Sequence, residues 1–488
     1  MASPRLRELL ALIPVTALVS AGFLAVVITR TDDASNLTLT YGAVFLGLCV
    51  FGHLFIRARL PDADPYLYPL AVLLAAFGLV MIYRIDATLA GGQAAVFVLG
   101  LALLVATVVF LRDIHALERY RYTIAAAGIA LLLLPRVPGI GERANGAYLG
   151  IGLGPVSFQP AEFAKLAIIV FLASYLRDTA DVLLRPVRNQ VWWLPWAAGA
   201  LAALVAWFLL DLGIAVTVLF TLFAASLAAV LQERPSLKHF GPLLLVWGLA
   251  MIMLVFIRDL GSSLMFFGGF LGLLYVATGR LSLVGVGATM FLGGSVAFAN
   301  QVGHVGDRVS IWLDPFARDA PDGAGQITQS LFAQADGGLF GRGFGEALLE
   351  LPEFLKPACK APFPDCGSIL PVPHTDFIYA VIVNEVGLFG AAALVLAYLL
   401  FMVRGFKTAL QAPDDFSKLL AAGLTSVFAL QVFVIVGGVT KLIPLTGVTL
   451  PFVSYGGSSI IANMVLLALL LIVSDGARRE RSRRGGLV

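Results

Sequence analysis

Charge is what this chain has least of. Of its 488 residues only 13% are Asp, Glu, Lys or Arg, while 59% are hydrophobic. Water-soluble domains carry about 25% charged residues. That deficit excludes a soluble enzyme, a nucleic-acid binder and a disordered scaffold. Cysteine is scarce as well, with three in all, and the five histidines are scattered. There is no CxxC, no HExxH and no histidine cluster, which argues against a protein-built zinc site. A small-x-small cleavage site after the first apolar run is also missing. That run is too long for a signal-peptide core, so it is read as a membrane span. What remains is an all-α polytopic membrane protein.

Long apolar runs are what the chain has instead. A helix of about 20 apolar residues crosses a bilayer, and about fourteen such runs follow one another, near 9–29, 37–56, 66–83, 93–111, 122–135, 162–176, 193–210, 213–231, 241–257, 261–278, 281–299, 376–403, 416–440 and 453–474. The segments divide as N-terminal spans (1–135), further spans (136–299) opening with an outer loop at 136–161, a large outer loop (300–375), three last spans (376–474) and a basic tail (475–488). Two tight turns, at Asp211-Leu212-Gly213 and Arg258-Asp259-Leu260-Gly261, leave room for re-entrant hairpins. With the N-terminus inside, most of the 33 Lys and Arg fall on the cytoplasmic side. The positive-inside rule therefore expects both termini in the cytoplasm. The arginine-rich tail is either an orientation signal or a segment drawn to anionic lipid.

Both polar loops lie on the expected outer face, so an outer-face site is expected. Cys49 reads as a small core residue. Cys359 and Cys366, in the large loop, are either a short-range disulfide or two free thiols. Glycines and prolines there exclude a long helix, and the cluster GGLFGRGFGE at 337–346 lacks the Lys-Ser/Thr of a nucleotide-binding loop.

Ionisable residues at membrane depth or at a helix mouth are costly and mark candidate sites. Asp376 follows Pro373, His374 and Thr375. With Thr375 as N-cap, Asp376 would lie in the first helical turn, where an acid merely complements the dipole. The functional alternative is a general base with a pKa tuned by low dielectric. Glu162 and Lys165, after Gln159 and Pro160, share one helix face. They read either as a self-compensating ion pair, with Lys165 snorkelling to the interface, or as a phosphate-binding lysine and its positioning acid. Arg308 and Arg342 read as diphosphate contacts or as solvated loop arginines. Ser454, Ser458 and Ser459, near Pro451 and Gly456-Gly457, read as helix-packing residues or as the rim of a polyprenyl groove.

Taken together, the runs QPAEFAKLA, DLGSSLMFFGGFLGLLYVAT, QSLFAQADGGLFGRGFGE, HTDFIYAVIVNEVGLFG and TGVTLPFVSYGGSS occur in the order seen in the SEDS family (shape, elongation, division and sporulation). Across roughly residues 140–475 the chain resembles that family. The resemblance implies a peptidoglycan glycosyltransferase that polymerises lipid II at the outer leaflet, releasing undecaprenyl diphosphate. It implies a class B penicillin-binding protein as transpeptidase partner, and other proteins of an elongation or division complex. Asp376 matches the family's essential aspartate, and Glu162 and Lys165 its loop acid and lysine. Gln159, Arg308, His374, Thr375, Ser454 and Ser458 are the accompanying substrate-binding candidates. A divalent metal such as Mg²⁺ or Mn²⁺ is implied by the resemblance alone, with Glu162 and Asp376 as its candidate ligands.

The chain departs from the family pattern at three places. Ala161 stands where serine is usual, and Asn384-Glu385 where two acids are usual. Residues 352–372 resemble an insertion. The family core has ten spans, so about four are additional. The elongation branch is expected, with a division polymerase, a lipid II flippase and a wall-synthesis scaffold as alternatives.

Overall fold

The structure, a computed structural model, describes residues 4–15, 17–18, 20–22, 36–137, 140–144, 147–153, 156–183, 193–205, 207, 214–232, 248–249, 259–299, 303–317, 324–347, 370 and 372–485. The described chain is helical apart from one small sheet. It forms two compact units, neither continuous in sequence. The first comprises residues 1–114, 307–413 and 431–488, the second 115–306 and 414–430.

The first unit contains α1 (Pro4–Ala11), α2 (Asn36–Arg59), α3 (Leu67–Ile85) and α4 (Ala87–Phe110). Asp86 joins α3 to α4 and caps α4, accepting from the Thr88 backbone N–H at 2.8 Å. The second unit opens with a short helical turn (His115–Arg119) and α5 (Arg121–Leu133), and three antiparallel strands come next, β1 (Gly141–Ala144), β2 (Ala147–Leu153) and β3 (Val156–Phe158). The register pairs Gly141 with Ile151, and Ile151 with Phe158. The segment expected as an outer loop at 136–161 is therefore a meander, and buried Ile151 anchors its central strand. Strands this short leave no long apolar run because they bury so few side chains.

The second unit continues with α6 (Pro160–Leu183), α7 (Leu194–Leu204), α8 (Ile214–Gln232), α9 (Leu260–Thr278) and α10 (Leu281–Ala299). Pro160 opens α6, a position where its missing N–H costs nothing. Asp259 caps α9 through the Ser262 N–H at 2.9 Å, which accounts for an acid at that turn. The turn at 211–213 lies outside the described residues.

In the first unit α11 (Gly303–Leu313, from Asp307 onward) and α12 (Ala324–Gly337) occupy much of the described part of the large loop. The loop was expected to lack long helices; α12 runs 14 residues. Ile311, Ile327, Leu331 and Leu445 make its local core. α13 (Ile378–Gln411) is broken at Gly387 (φ 70°, ψ −176°), and α14 (Asp415–Val439) and α15 (Gly457–Gly485) complete the chain. Within the first unit α15 packs on α4, and α13 on α3 and α12.

Among the described residues, six helices are long and apolar enough to cross a membrane: α3, α4, residues 261–278 of α9, α13, α14 and residues 457–483 of α15. The chain is thus a multi-pass membrane protein, but the described residues do not reach the expected fourteen spans. α5, at 13 residues, rises only about 20 Å. α6 carries five charged side chains. The expected span 241–257 lies almost wholly outside the described residues.

Candidate active site

Asp376 stands before the membrane-crossing helix, not within it. α13 starts at Ile378 with Phe377 at its N-cap, and no side chain caps it. Thr375, expected as the cap, instead sits in a turn, with its hydroxyl 3.4 Å from the Val372 carbonyl. Val372, ahead of Pro373, takes a left-handed conformation at this turn. Asp376 is therefore not an ordinary first-turn acid serving the helix dipole.

A loop from the last third of the chain holds this turn in place. Ser454 is buried, and its hydroxyl donates to the Thr375 carbonyl at 2.8 Å while accepting from the Leu450 N–H at 2.9 Å. The Tyr455 N–H donates to the His374 carbonyl at 2.8 Å, and the Tyr455 ring meets the His374 ring edge-on. Gln93 of α4 donates to the Ser454 carbonyl, and Tyr398 of α13 to the Pro451 carbonyl. Phe452, also left-handed, is buried against Phe401. The LPFVSYGGSS run thus clamps the HTD turn. Ser458 is buried at the start of α15.

Arg308 reaches the same place from α11. Its guanidinium donates to the Leu445 carbonyl at 2.7 Å, and Trp312, one turn on, donates to the Lys441 carbonyl. Gly447, with φ +71°, lies between the arginine and the aspartate. A Cβ there would sit 3.6 Å from Asp376 Oδ2 and 3.7 Å from an Arg308 Nη. The two charged groups are therefore no further apart than about 7.3 Å. Asp376 keeps some exposure, yet burial of its carboxyl pushes its pKa up to about 6; Arg308 and the Thr375 hydroxyl pull the other way. The site offers a carboxylate close to its protonation midpoint beside a permanent cation. Burial also lowers the His374 pKa, although the Asp86 carboxylate opposes it.

The second unit holds the other expected pair. Lys165 Nζ lies 2.6 Å from Glu162 Oε2, and both are buried. The ion pair is as expected; the snorkelling is not, since α6 packs against α5 and α9 and leaves Lys165 3% exposed. Gln159 is half-buried just before α6. Arg342 is exposed and paired with Asp336. Cys359, Cys366 and nearly all of the 352–372 segment lie outside the described residues. A cavity of about 670 Å³ lies between α12 and the first half of α13, but Asp376 is not among its lining residues.

Three comparisons bear on this arrangement. The sequence profile of the FtsW/RodA/SpoVE cell cycle proteins matches residues 65–232 and 214–479. The chain belongs to this family, the SEDS family. It is 38% identical to the peptidoglycan glycosyltransferase RodA of Mycobacterium tuberculosis (strain H37Rv), over 96% of this chain and 90% of that one. It is 32% identical to the stage V sporulation protein E of Bacillus subtilis, over 71% and 77%. Among solved structures, a chain from a study of polymerisation and crosslinking by a peptidoglycan synthase complex superposes with a TM-score of 0.57 at 26% identity, covering 86% of this chain and 98% of that one. The rod-shape-determining protein RodA of Thermus thermophilus gives 0.50 at 26%, over 84% and 96%.

One further feature of this SEDS chain was not legible in its sequence. The glycine cluster docks into the break of α13. The N–H groups of Arg342 and Gly343 donate to the carbonyls of Asn384 and Glu385, and those of Leu388 and Phe389 to Gly338 and Leu339. Gly341 and Gly387 approach so closely that a Cβ on either would meet backbone within 2.4 Å. Arg84, at the end of α3, secures the junction. It pairs with buried Glu385 at 2.8 Å and donates to the Gly345 and Ala347 carbonyls. Its only sequence signal was a lone arginine at the end of an apolar run.

Proposed function

We propose that this peptidoglycan glycosyltransferase polymerises lipid II at the outer leaflet of the cytoplasmic membrane, with Asp376 as general base. The observation that carries the reading is the pairing of a carboxyl near pKa 6 with Arg308 across Gly447, at the mouth of a membrane-crossing helix. The acceptor's GlcNAc 4-hydroxyl is a weak nucleophile. As its oxygen attacks the anomeric carbon of the growing chain, its proton passes to an Asp376 oxygen. The bond from the anomeric carbon to undecaprenyl diphosphate breaks. The nearby guanidinium favours the negative charge that develops there. Lys165 with Glu162 is proposed, on the resemblance, to act on anionic substrate groups, and His374, Thr375, Ser454 and Ser458 to shape the substrate's seat.

Among the described residues no three His, Cys, Asp or Glu side chains cluster to hold a metal. Asp376 has a cation for a neighbour, and Glu162 is already paired with Lys165. These residues do not fit a protein-built Mg²⁺ or Mn²⁺ site, and no step of the reaction is routed through one.

An elongation role is favoured by the 38% identity to RodA over nearly the whole chain, against 28% to the FtsW of Geobacter. The proposed partner is a class B penicillin-binding protein, consistent with the relative drawn from a peptidoglycan synthase complex. Both termini are placed in the cytoplasm on the charge bias. The test is polymerisation of labelled lipid II by the purified chain, with and without that partner. Product from the wild type and none from Asp376→Ala is expected; polymer made by a folded Asp376→Ala protein would sink the base assignment.

A further inference from the structure

We infer that the membrane face opposite Asp376 carries a binding pocket for the phosphate headgroup of an anionic phospholipid. A cavity of about 560 Å³ lies where α13 and α15 end and α3 begins. Four cations line it: Arg404 and Lys407 of α13, and Arg478 and Arg481 of α15. No Asp or Glu is among its lining residues. Beneath it, buried Asp64 pairs with both Arg404 and Arg478. The adjacent Asp62 and Asp475 are both paired with Arg479, so five cations face three carboxylates and a surplus of two positive charges remains. Neither Lys407 nor Arg481 has an ion-pair partner among the described residues.

The cationic wall is built in advance. Asp64 is fixed by its own backbone: its N–H donates to the Ser474 hydroxyl at 3.0 Å, and its carboxylate accepts from the Tyr66 N–H at 2.9 Å. The neighbouring Asp62 N–H donates to Asp475 at 2.8 Å. The short α2–α3 connection is thereby bolted to the end of α15. Arg404 also lies over the Tyr66 ring, 4.7 Å from its centroid. A guanidinium has five N–H donors, and Asp64 engages Arg404 through Nε and one Nη only. Arg404 is thus held rigid while donors remain, which suits an anion with several acceptor oxygens.

Position selects the ligand. Three membrane-crossing helices end or begin at this cavity, so it lies at headgroup depth, with exposed Tyr66 where interfacial aromatics belong. Basic pockets between helices on the cytoplasmic side suit anionic headgroups. A phosphodiester presented by the leaflet needs no diffusing partner.

The test uses the full-length protein in nanodiscs of mixed phosphatidylcholine and phosphatidylglycerol, with bound lipid counted by native mass spectrometry after release. The variants are Lys407→Gln, Arg481→Gln and the double substitution, which leave the Asp64 clamp intact. Phosphatidylglycerol is expected to be retained over phosphatidylcholine. The preference should fall about fivefold for each cation removed, and about 25-fold in the double variant. Thermal melts of the same samples establish that the variants fold. Equal retention of both lipids by the wild type, or undiminished selectivity in a folded double variant, would overturn the proposal. Displacement of the lipid by millimolar inorganic phosphate would reassign the pocket to a soluble phosphate compound, and would also overturn it.

Discussion

Replacing Arg308 by Gln is expected to move the acid limb of the polymerisation rate to higher pH. Asp376 can take a proton only as the carboxylate. Its pKa is pushed up to about 6 by burial, so the rate should fall roughly tenfold per pH unit below that value. The guanidinium opposes burial, because a nearby positive charge favours the ionised acid. Removing it must therefore raise the pKa further. The charges lie within about 7.3 Å. At that separation and an effective dielectric constant near 20, two unit charges interact by about 2.3 kcal/mol, or about 1.7 pH units; with water-like screening the figure is about 0.4 units. A partly exposed carboxyl falls between those limits, so the limb should shift by about one unit. At pH near 6 that adds about a fivefold loss to any pH-independent effect. The assay is the initial rate of labelled lipid II polymerisation at subsaturating substrate, with the partner present, from about pH 5 to 8.5. Arg308→Lys keeps the charge and should keep the wild-type limb. A limb that stays in place in Arg308→Gln, or moves equally in Arg308→Lys, would refute the electrostatic argument.

Three further expectations follow from the same geometry. Ser454→Ala removes the hydroxyl that joins Leu450 to Thr375. It leaves a buried N–H unpaired, at a cost of about 1–3 kcal/mol, so the melting midpoint and the polymerisation rate should drop together; an unchanged rate would separate the clamp from the site. Arg84→Gln strips the partner from buried Glu385. It should cost about 3–5 kcal/mol and lower the detergent melting midpoint well below wild type, with only partial recovery in Arg84→Lys. Equal stability of all three proteins would refute that pair's role. Gly447→Ala forces a side chain into the left-handed region, at about 1–2 kcal/mol. It also sets a methyl beside Asp376 Oδ2. Further desolvation should raise the acid limb, and a limb moved to lower pH would contradict this.

Much of the membrane architecture was legible because apolar length is a property of sequence alone. α3, α4, α9, α13, α14 and α15 each coincide with an expected span. Pro160 and the i,i+3 pair of Glu162 and Lys165 fell where helix geometry requires. The meander at 141–158 was not legible, since it buries too little to leave a pattern. Nor was the start of α13, because Thr375 has the composition of a cap but is drawn into a turn by Ser454, which lies 79 residues away.

The sequence by itself determined the class of this protein, the six long apolar helices and the identity of Asp376 as the residue to watch. Each of those depends on local composition or on one motif. Only the tertiary structure decided what surrounds that aspartate. Arg308 and Gly447 reach it from segments 68 and 71 residues away along the chain. They meet there because α11 and α12 pack their apolar sides, through Ile311 and Ile327, onto Leu445 of the loop that carries Gly447. The same holds for Arg84 and Glu385, and for Arg404 and Arg478 at Asp64. Charge partners at such separations leave no local signature; they are brought together by the burial of the apolar surfaces between them.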